Sequence, residues 1–262
     1  MIKLIDTHAH LDMKEFRANL DEVLENCRNA GIEKVLIPGV TLKDTPRIIK
    51  LIEKYPQLYG GVALHPSDAK DWDENSYDTL KQYAQHPKII AIGETGLDYY
   101  WDKTFIDLQK HVFKEHIRLA KEVNKPLIIH SREASADILA ILKETNAKEI
   151  GGVMHCFSGS AEFALECIKE GFYIALGGPV TFKNAKKPKE VAQAVPLDKL
   201  LLETDSPYLA PQQFRGKLNA PSKVVYVAEE IASLRNISVE QVAEATYQNS
   251  IRLFRFEGTE KF

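Results

Sequence analysis

His8 and His10 stand two residues apart near the start of a 262-residue chain, and four more residues of similar chemistry end apolar runs downstream. Residues i and i+2 of an extended strand point to one face, so both imidazoles of His8-Ala9-His10 project together and can share a cation. Glu94 follows Ile89-Ile90-Ala91-Ile92 between Gly93 and Gly96, Asp205 follows Leu200-Leu201-Leu202, and His130 and His155 each close an apolar run. Taken singly, each has an ordinary reading: solvated or core histidines, an ion pair from Glu94 to Arg132, a helix cap for Asp205. Taken together, these readings require six separate coincidences, all at the same ends of strands. A carboxylate buried at a strand end is also costly unless it is paired or binds metal.

Four imidazoles, two carboxylates and no thiolate suit Zn²⁺, Mn²⁺, Fe, Co or Ni, and Mg²⁺ less obviously. Six ligands exceed the three or so protein ligands of a catalytic zinc and suffice for two ions, which can clamp the attacking and leaving oxygens of a displacement. The partition we expect gives one ion His8, His10, Glu94 and Asp205 and the other Glu94, His130 and His155, with Glu94 bridging. The chemistry is then hydrolysis by an acidified water, with Asp205 as both ligand and proton acceptor.

Such a site needs a frame that collects strand ends. Short apolar runs lie at Leu4-Ile5, Val35–Ile37, Gly61–Leu64, Ile89–Ile92, Leu127–Ile129, Gly152–Met154, Tyr173–Leu176 and Leu200–Leu202. Amphipathic helical stripes separate them; Phe16, Leu20, Val23, Leu24 and Cys27 keep a 3.6-residue period, and Gly31 and Gly171 stand where stripes stop. Strict alternation implies parallel strands with right-handed crossovers, and the chain length fits a (β/α)8 TIM barrel with its active site at the C-terminal strand ends. An open doubly wound sheet would normally bring a Gly-rich loop after the first strand, and none is present. We expect one domain over residues 1–256, short extra C-terminal helices over 238–254, and a loose tail at 257–262.

Composition narrows the function classes. Lys and Arg total 34 against 37 Asp and Glu, which excludes a globally basic nucleic-acid binder but not a local basic groove. The three cysteines, Cys27, Cys156 and Cys167, match no zinc-finger spacing, and the start is quickly polar; both predict a cytoplasmic protein. No apolar window reaches membrane-span length, and no segment signals an obligate protein partner.

Several long motifs resemble the TatD family of metal-dependent deoxyribonucleases, within the amidohydrolase superfamily. They are Asp6-Thr7-His8-Ala9-His10-Leu11, Gly93-Glu94-Thr95-Gly96-Leu97-Asp98-Tyr99-Tyr100, Pro126–Arg132, His155-Cys156-Phe157-Ser158-Gly159, Glu203–Pro211 and Arg215–Pro221. The resemblance implies a barrel, two divalent ions (Mg, Mn or Zn) and phosphodiester hydrolysis on DNA, with His8, His10, Glu94, His130, His155 and Asp205 as ligands. The catalytic roles fall to Glu94 and Asp205. Where relatives read His-Pro-His after the third strand, this chain has His65-Pro66-Ser67.

The candidate substrate contacts are His65, Arg132, Arg215, Lys217 and Tyr99, and the expected substrate is DNA that is single-stranded or frayed. Lys183 joins Arg215 and Lys217 as a possible phosphate contact, while Lys186, Lys187 and Lys189 read as a solvated helix face. Tyr100, Trp101, Phe157 and Tyr208 are aromatics of the same loops, able to stack bases or to pack onto the rim. His116 reads as a core residue. The competing reading is an amidohydrolase cleaving a C–N or ester bond in a small molecule. Many dinuclear members of that class bridge their metals with a carbamylated lysine from the fourth strand, a position held here by Glu94.

Overall fold

A computed structural model describes residues 2–256; the expected tail at 257–262 lies outside the described residues. Eight strands form one sheet in the order β1 to β8: β1 Leu4–Asp6, β2 Ile32–Ile37, β3 Leu58–Val62, β4 Ile89–Asp98, β5 Leu127–Arg132, β6 Gly152–Met154, β7 Phe172–Leu176 and β8 Leu200–Leu202. Helices alternate with them: α1 Leu20–Asn29, α2 Thr45–Lys54, α3 Ser76–Tyr83, α4 Ile106–Val123, α5 Ser135–Glu144, α6 Ala161–Lys169, α7 Lys186–Ala194 and α8 Val224–Arg235. Pairing is parallel for β1–β2, β3–β4, β4–β5, β5–β6 and β7–β8. The fold class is (β/α)8.

Two compact units make up the chain. The first comprises Met1–Ile37, Cys156–Leu165 and Ile174–Arg252. In it β8 returns to β1: Thr7 donates its amide and its hydroxyl to Leu202 O (3.1 and 2.9 Å), and Asp205 N donates to His8 O (2.9 Å). Leu20, Val23, Leu24 and Cys27 of α1 are buried as their period predicts, with Asp21 and Glu22 in the first turn and Arg28 in the last, where the helix dipole favours each sign. Burial pushes the Cys27 thiol up to about 12, which keeps it protonated and inert.

The second unit comprises Pro38–His155, Glu166–Tyr173 and Leu253–Phe262. Its longest helix, α4, ends at Asn124 in the left-handed conformation (φ 52°), a common helix stop. His116 on α4 is fully buried, as expected of a core residue, and accepts a hydrogen bond from Leu64 N at Nε2 (3.0 Å) while its Nδ1 donates to Val112 O (2.7 Å). That capture helps end β3 at Val62, so the strand lies earlier than the apolar run at 61–64 predicts. Phe256, 1% exposed, stands edge-on to Tyr59 of β3 with ring centroids 4.8 Å apart.

The expected short helices over 238–254 are instead one helix, α9 Val239–Phe254. Thr246, Asn249 and Ser250 are polar residues buried within it. Here Thr246 and Ser250 donate back to helix carbonyls (both 2.8 Å), and Asn249 donates to Leu197 O and Leu200 O (both 2.9 Å). With their polar groups satisfied, these residues can be buried without ending the helix. Among the described residues, no helix is long and apolar enough to cross a membrane.

Candidate metal centre

The second unit gathers one set of ligand-type side chains. β4 runs through the Glu94–Asp98 motif instead of stopping before it, so residues 94, 96 and 98 share a face. β5 pairs so that His130 stands opposite Gly96 and Arg132 opposite Asp98. Gly96 has φ +131°, and a Cβ there would sit 2.1 Å from His130 O; only glycine lets β5 come this close. His155 follows β6, its amide bonded to Ile129 O (3.0 Å), and His65 follows β3. The Gly93–Glu94 peptide is cis, and Glu94 N donates to Gly39 O (2.7 Å).

Three imidazoles converge on one oxygen. Glu94 Oε1 lies 2.8 Å from His155 Nε2, 2.9 Å from His130 Nδ1 and 3.3 Å from His65 Nε2. Glu94 is 4% exposed; burial alone would raise its carboxyl, but His155, His65 and His130 outweigh that and hold it well below the usual range. The other ring nitrogen of His130 lies 2.9 Å from Asp98 Oδ2. Burial works against a charged His130, yet Asp98 and Glu94 raise it above the ordinary histidine value. Asp98 is lowered: its burial is outweighed by His130 and by the amides of Tyr100 and Trp101.

These residues fit a divalent ion. His130 Nδ1 and His155 Nε2 are 3.4 Å apart, and two nitrogens on one tetrahedral ion at 2.0–2.1 Å are also about 3.4 Å apart. Ligand atoms of His65, Glu94 and His130 all lie within 4.8 Å of one another. Asp98 behind His130 is the carboxylate–histidine arrangement that orients metal-binding imidazoles. His65 takes a different part: Ser67 N donates to its Nδ1 (3.1 Å), leaving the hydrogen on Nε2, toward Glu94.

The first unit gathers His8, His10 and Asp205. Asp205 Oδ1 lies 3.3 Å from His10 Nε2 and 3.8 Å from His8 Nε2, and the two rings meet edge-on at 5.0 Å. Asp205 adopts φ 55°, a strained conformation for a non-glycine residue, beneath which the chain is heavily bonded. Asp6 accepts from His8 N (3.2 Å), Thr204 N (3.0 Å) and the Thr204 hydroxyl (2.5 Å), and Asn219 Nδ2 donates to Thr204 O (2.9 Å) and Tyr208 O (2.7 Å). Complete burial pushes Asp6 up to about 8 against the pull of those donors. Two imidazoles and a carboxylate on a fixed frame are donors that an ion of the kind bound by His and Asp would take.

The TatD related DNase family model matches residues 5–255. The chain belongs to the TatD family. It is 50% identical over 252 residues to the uncharacterized metal-dependent hydrolase YabD of Bacillus subtilis strain 168, covering 96% of this chain and 99% of YabD. It is 39% identical over 261 residues to the uncharacterized metal-dependent hydrolase YcfH of Escherichia coli K12, covering 98% of this chain and 97% of YcfH. The crystal structure of the TatD homologue YjjV from Escherichia coli K12 superposes with a TM-score of 0.92 at 32% identity, over 96% of this chain and 98% of YjjV. The chain is therefore a metal-dependent hydrolase of the TatD family.

Not every expected substrate contact of this TatD-family chain is free to act as one. The Tyr99 hydroxyl donates to Asp137 (2.7 Å), an acid that also takes Lys110 (2.8 Å). Arg215 is exposed over the Phe182 ring (4.6 Å), and Lys217 is exposed on the same segment after β8. Lys186 is exposed and pairs with Glu190, in keeping with a solvated face, whereas Lys189 is half-buried and bridges to Glu230 of α8 (2.9 Å). Phe157 is buried against Phe163 and serves packing, whereas Tyr208 stays 52% exposed, edge-on to His10 at 6.3 Å. Arg132 is exposed and lies over Tyr100 and Trp101. Asp98, Asp6 and Asn219 carry supporting roles that spacing alone did not assign. For Asp98 the signal was available, because it stands four residues beyond Glu94 on the same strand face.

Proposed function

We propose that this chain is a divalent-metal-dependent deoxyribonuclease holding two ions, one at His8, His10 and Asp205 and the other at Glu94, His130 and His155. The observation that supports this reading best is the convergence of three imidazole nitrogens on Glu94 Oε1 within 3.3 Å. The match to a family described as TatD related DNase supports DNA as the substrate class. Divalent ions would polarise the phosphodiester and make the attacking water more acidic.

The protein's own groups complete the site. Asp205, the more exposed of the two catalytic carboxylates (16% against 5% for the side chains), accepts a proton from the attacking water at its carboxylate. Glu94 stays ionised across the neutral range and anchors His130, His155 and His65. Asp98 fixes the His130 ring, and His65 donates from Nε2 to Glu94. Water adds to phosphorus as its proton passes to Asp205, the P–O bond to the leaving sugar oxygen breaks, that oxygen takes a proton from solvent, and a phosphate monoester and a hydroxyl result.

Labelled oligonucleotides incubated with protein in Mg²⁺, Mn²⁺ or Zn²⁺, beside Glu94→Ala and EDTA controls, test the proposal. Metal-dependent cleavage lost in the variant is the expected result. Cleavage that survives either control overturns the mechanism, and no cleavage alongside turnover of a small amide or ester replaces the substrate class.

A further inference from the structure

Beside the Glu94 cluster, β4 and β5 continue into an exposed aromatic surface, and its geometry decides between the base-stacking and rim-packing readings of Tyr100 and Trp101. Tyr100 is 49% exposed and Trp101 69%, and their rings meet edge-on at 4.9 Å. The Arg132 guanidinium lies 3.9 Å from the Tyr100 ring centroid and 5.3 Å from that of Trp101. An exposed tryptophan of this size is costly to leave in water and is an uncommon surface choice.

The surface is also held in place. Asp98 Oδ1 accepts from Tyr100 N (2.9 Å) and Trp101 N (3.3 Å), while Asp98 Oδ2 faces His130 Nε2. One buried carboxylate thus fixes both the aromatic turn and an imidazole of the candidate metal centre. The nearby acids are engaged: Asp102 accepts from Thr104 N (2.8 Å), and Glu133 lies 3.9 Å from Lys103 Nζ. Arg132 is the charged group that lies over both aromatic rings.

We infer that Trp101, Tyr100 and Arg132 form a subsite for one unpaired nucleobase and its adjoining phosphate in single-stranded DNA. This deepens the nuclease reading and rests on it. An aromatic face accepts the π-face of any base, and a guanidinium stacked on tyrosine keeps its edge N–H groups for phosphate oxygens. In a duplex the base faces are covered by their neighbours, so only an unpaired or frayed base can reach the platform. The subsite holds the strand; it does not take part in the bond-breaking step.

Binding of a fluorescein-labelled, phosphorothioate-linked oligothymidylate to the metal-loaded protein, followed by anisotropy, provides the test. Trp101→Ala should weaken binding about tenfold and Trp101→Phe by no more than about twofold, as loss and retention of one stacked base require. An oligonucleotide carrying an abasic residue at each position in turn should have one position at which wild type and Trp101→Ala bind alike. Arg132→Ala should reduce the salt dependence of binding by about one phosphate contact. Trp101→Ala binding as tightly as wild type, with wild-type cleavage of ordinary oligonucleotide intact, overturns the subsite and leaves the nuclease standing. Wild-type protein that neither binds nor cleaves the oligonucleotide overturns both.

Discussion

Asp98 Oδ2 stands 2.9 Å from His130 Nε2, on the ring edge opposite the one that faces Glu94 Oε1 at 2.9 Å. The imidazole is gripped between two carboxylates, so the rotation of its ring is set before any ion arrives.

Asp98→Asn separates this positioning role from the fold. An amide has one oxygen and cannot accept from both the aromatic turn and His130. Metal affinity is expected to fall about 10- to 100-fold, the usual cost of losing such an outer partner. Calorimetric titration of the chelated protein with Zn²⁺ or Mn²⁺ reads this directly, and an unchanged affinity would remove Asp98 from the centre.

Metal should stabilise the folded chain. At a free-ion concentration 100 times Kd, binding to the native state alone contributes about 2.7 kcal/mol. Chelation is therefore expected to lower Tm, and readdition to restore it. His130→Ala should shrink the metal-induced rise. Scanning calorimetry with and without EDTA makes the comparison.

Gly96→Ala should be among the most damaging single-atom additions in the chain. Its Cβ would meet His130 O at 2.1 Å in a backbone conformation with φ +131°. Strain and overpacking together predict a loss of about 3 kcal/mol or more, read from urea unfolding. Any folded fraction should also bind metal poorly, since relief of the clash moves His130.

His116 predicts a pH dependence away from the site. Burial lowers it from 6.5 to about 4, so between those values the unfolded chain binds a proton that the folded chain refuses. Stability must fall as pH drops through that window, by up to about 3 kcal/mol once pH is below both values. His116→Leu, though less stable at neutral pH because Leu64 N loses its acceptor, should show a flatter Tm profile between pH 6.5 and 4.

The fold was legible because alternation of apolar runs and helical stripes is a property of burial, and each predicted strand has a counterpart within a few residues. The misses are places where a side chain overrides the apolar pattern. β3 ends early where His116 takes the Leu64 amide, and α9 runs unbroken because Thr246, Asn249 and Ser250 bond inward. At the site, residue types at strand ends pointed to Glu94, His130 and His155, which the fold brings into one cluster, and to His8, His10 and Asp205, which it brings into another. Tyr99 illustrates the limit: nothing in its spacing foretells that its hydroxyl turns to Asp137, while its neighbour Trp101 faces water.

The contact of Phe256 with Tyr59 has a consequence for synthesis. The ribosome makes Tyr59 early and Phe256 about 200 residues later. At ordinary elongation speeds of 5–20 residues per second, the nascent β3 therefore waits on the order of 10–40 s for the ring that covers it. Phe256, two residues past the end of α9, acts as a seal, and a product truncated before it would leave the ribosome with Tyr59 and its surroundings still open.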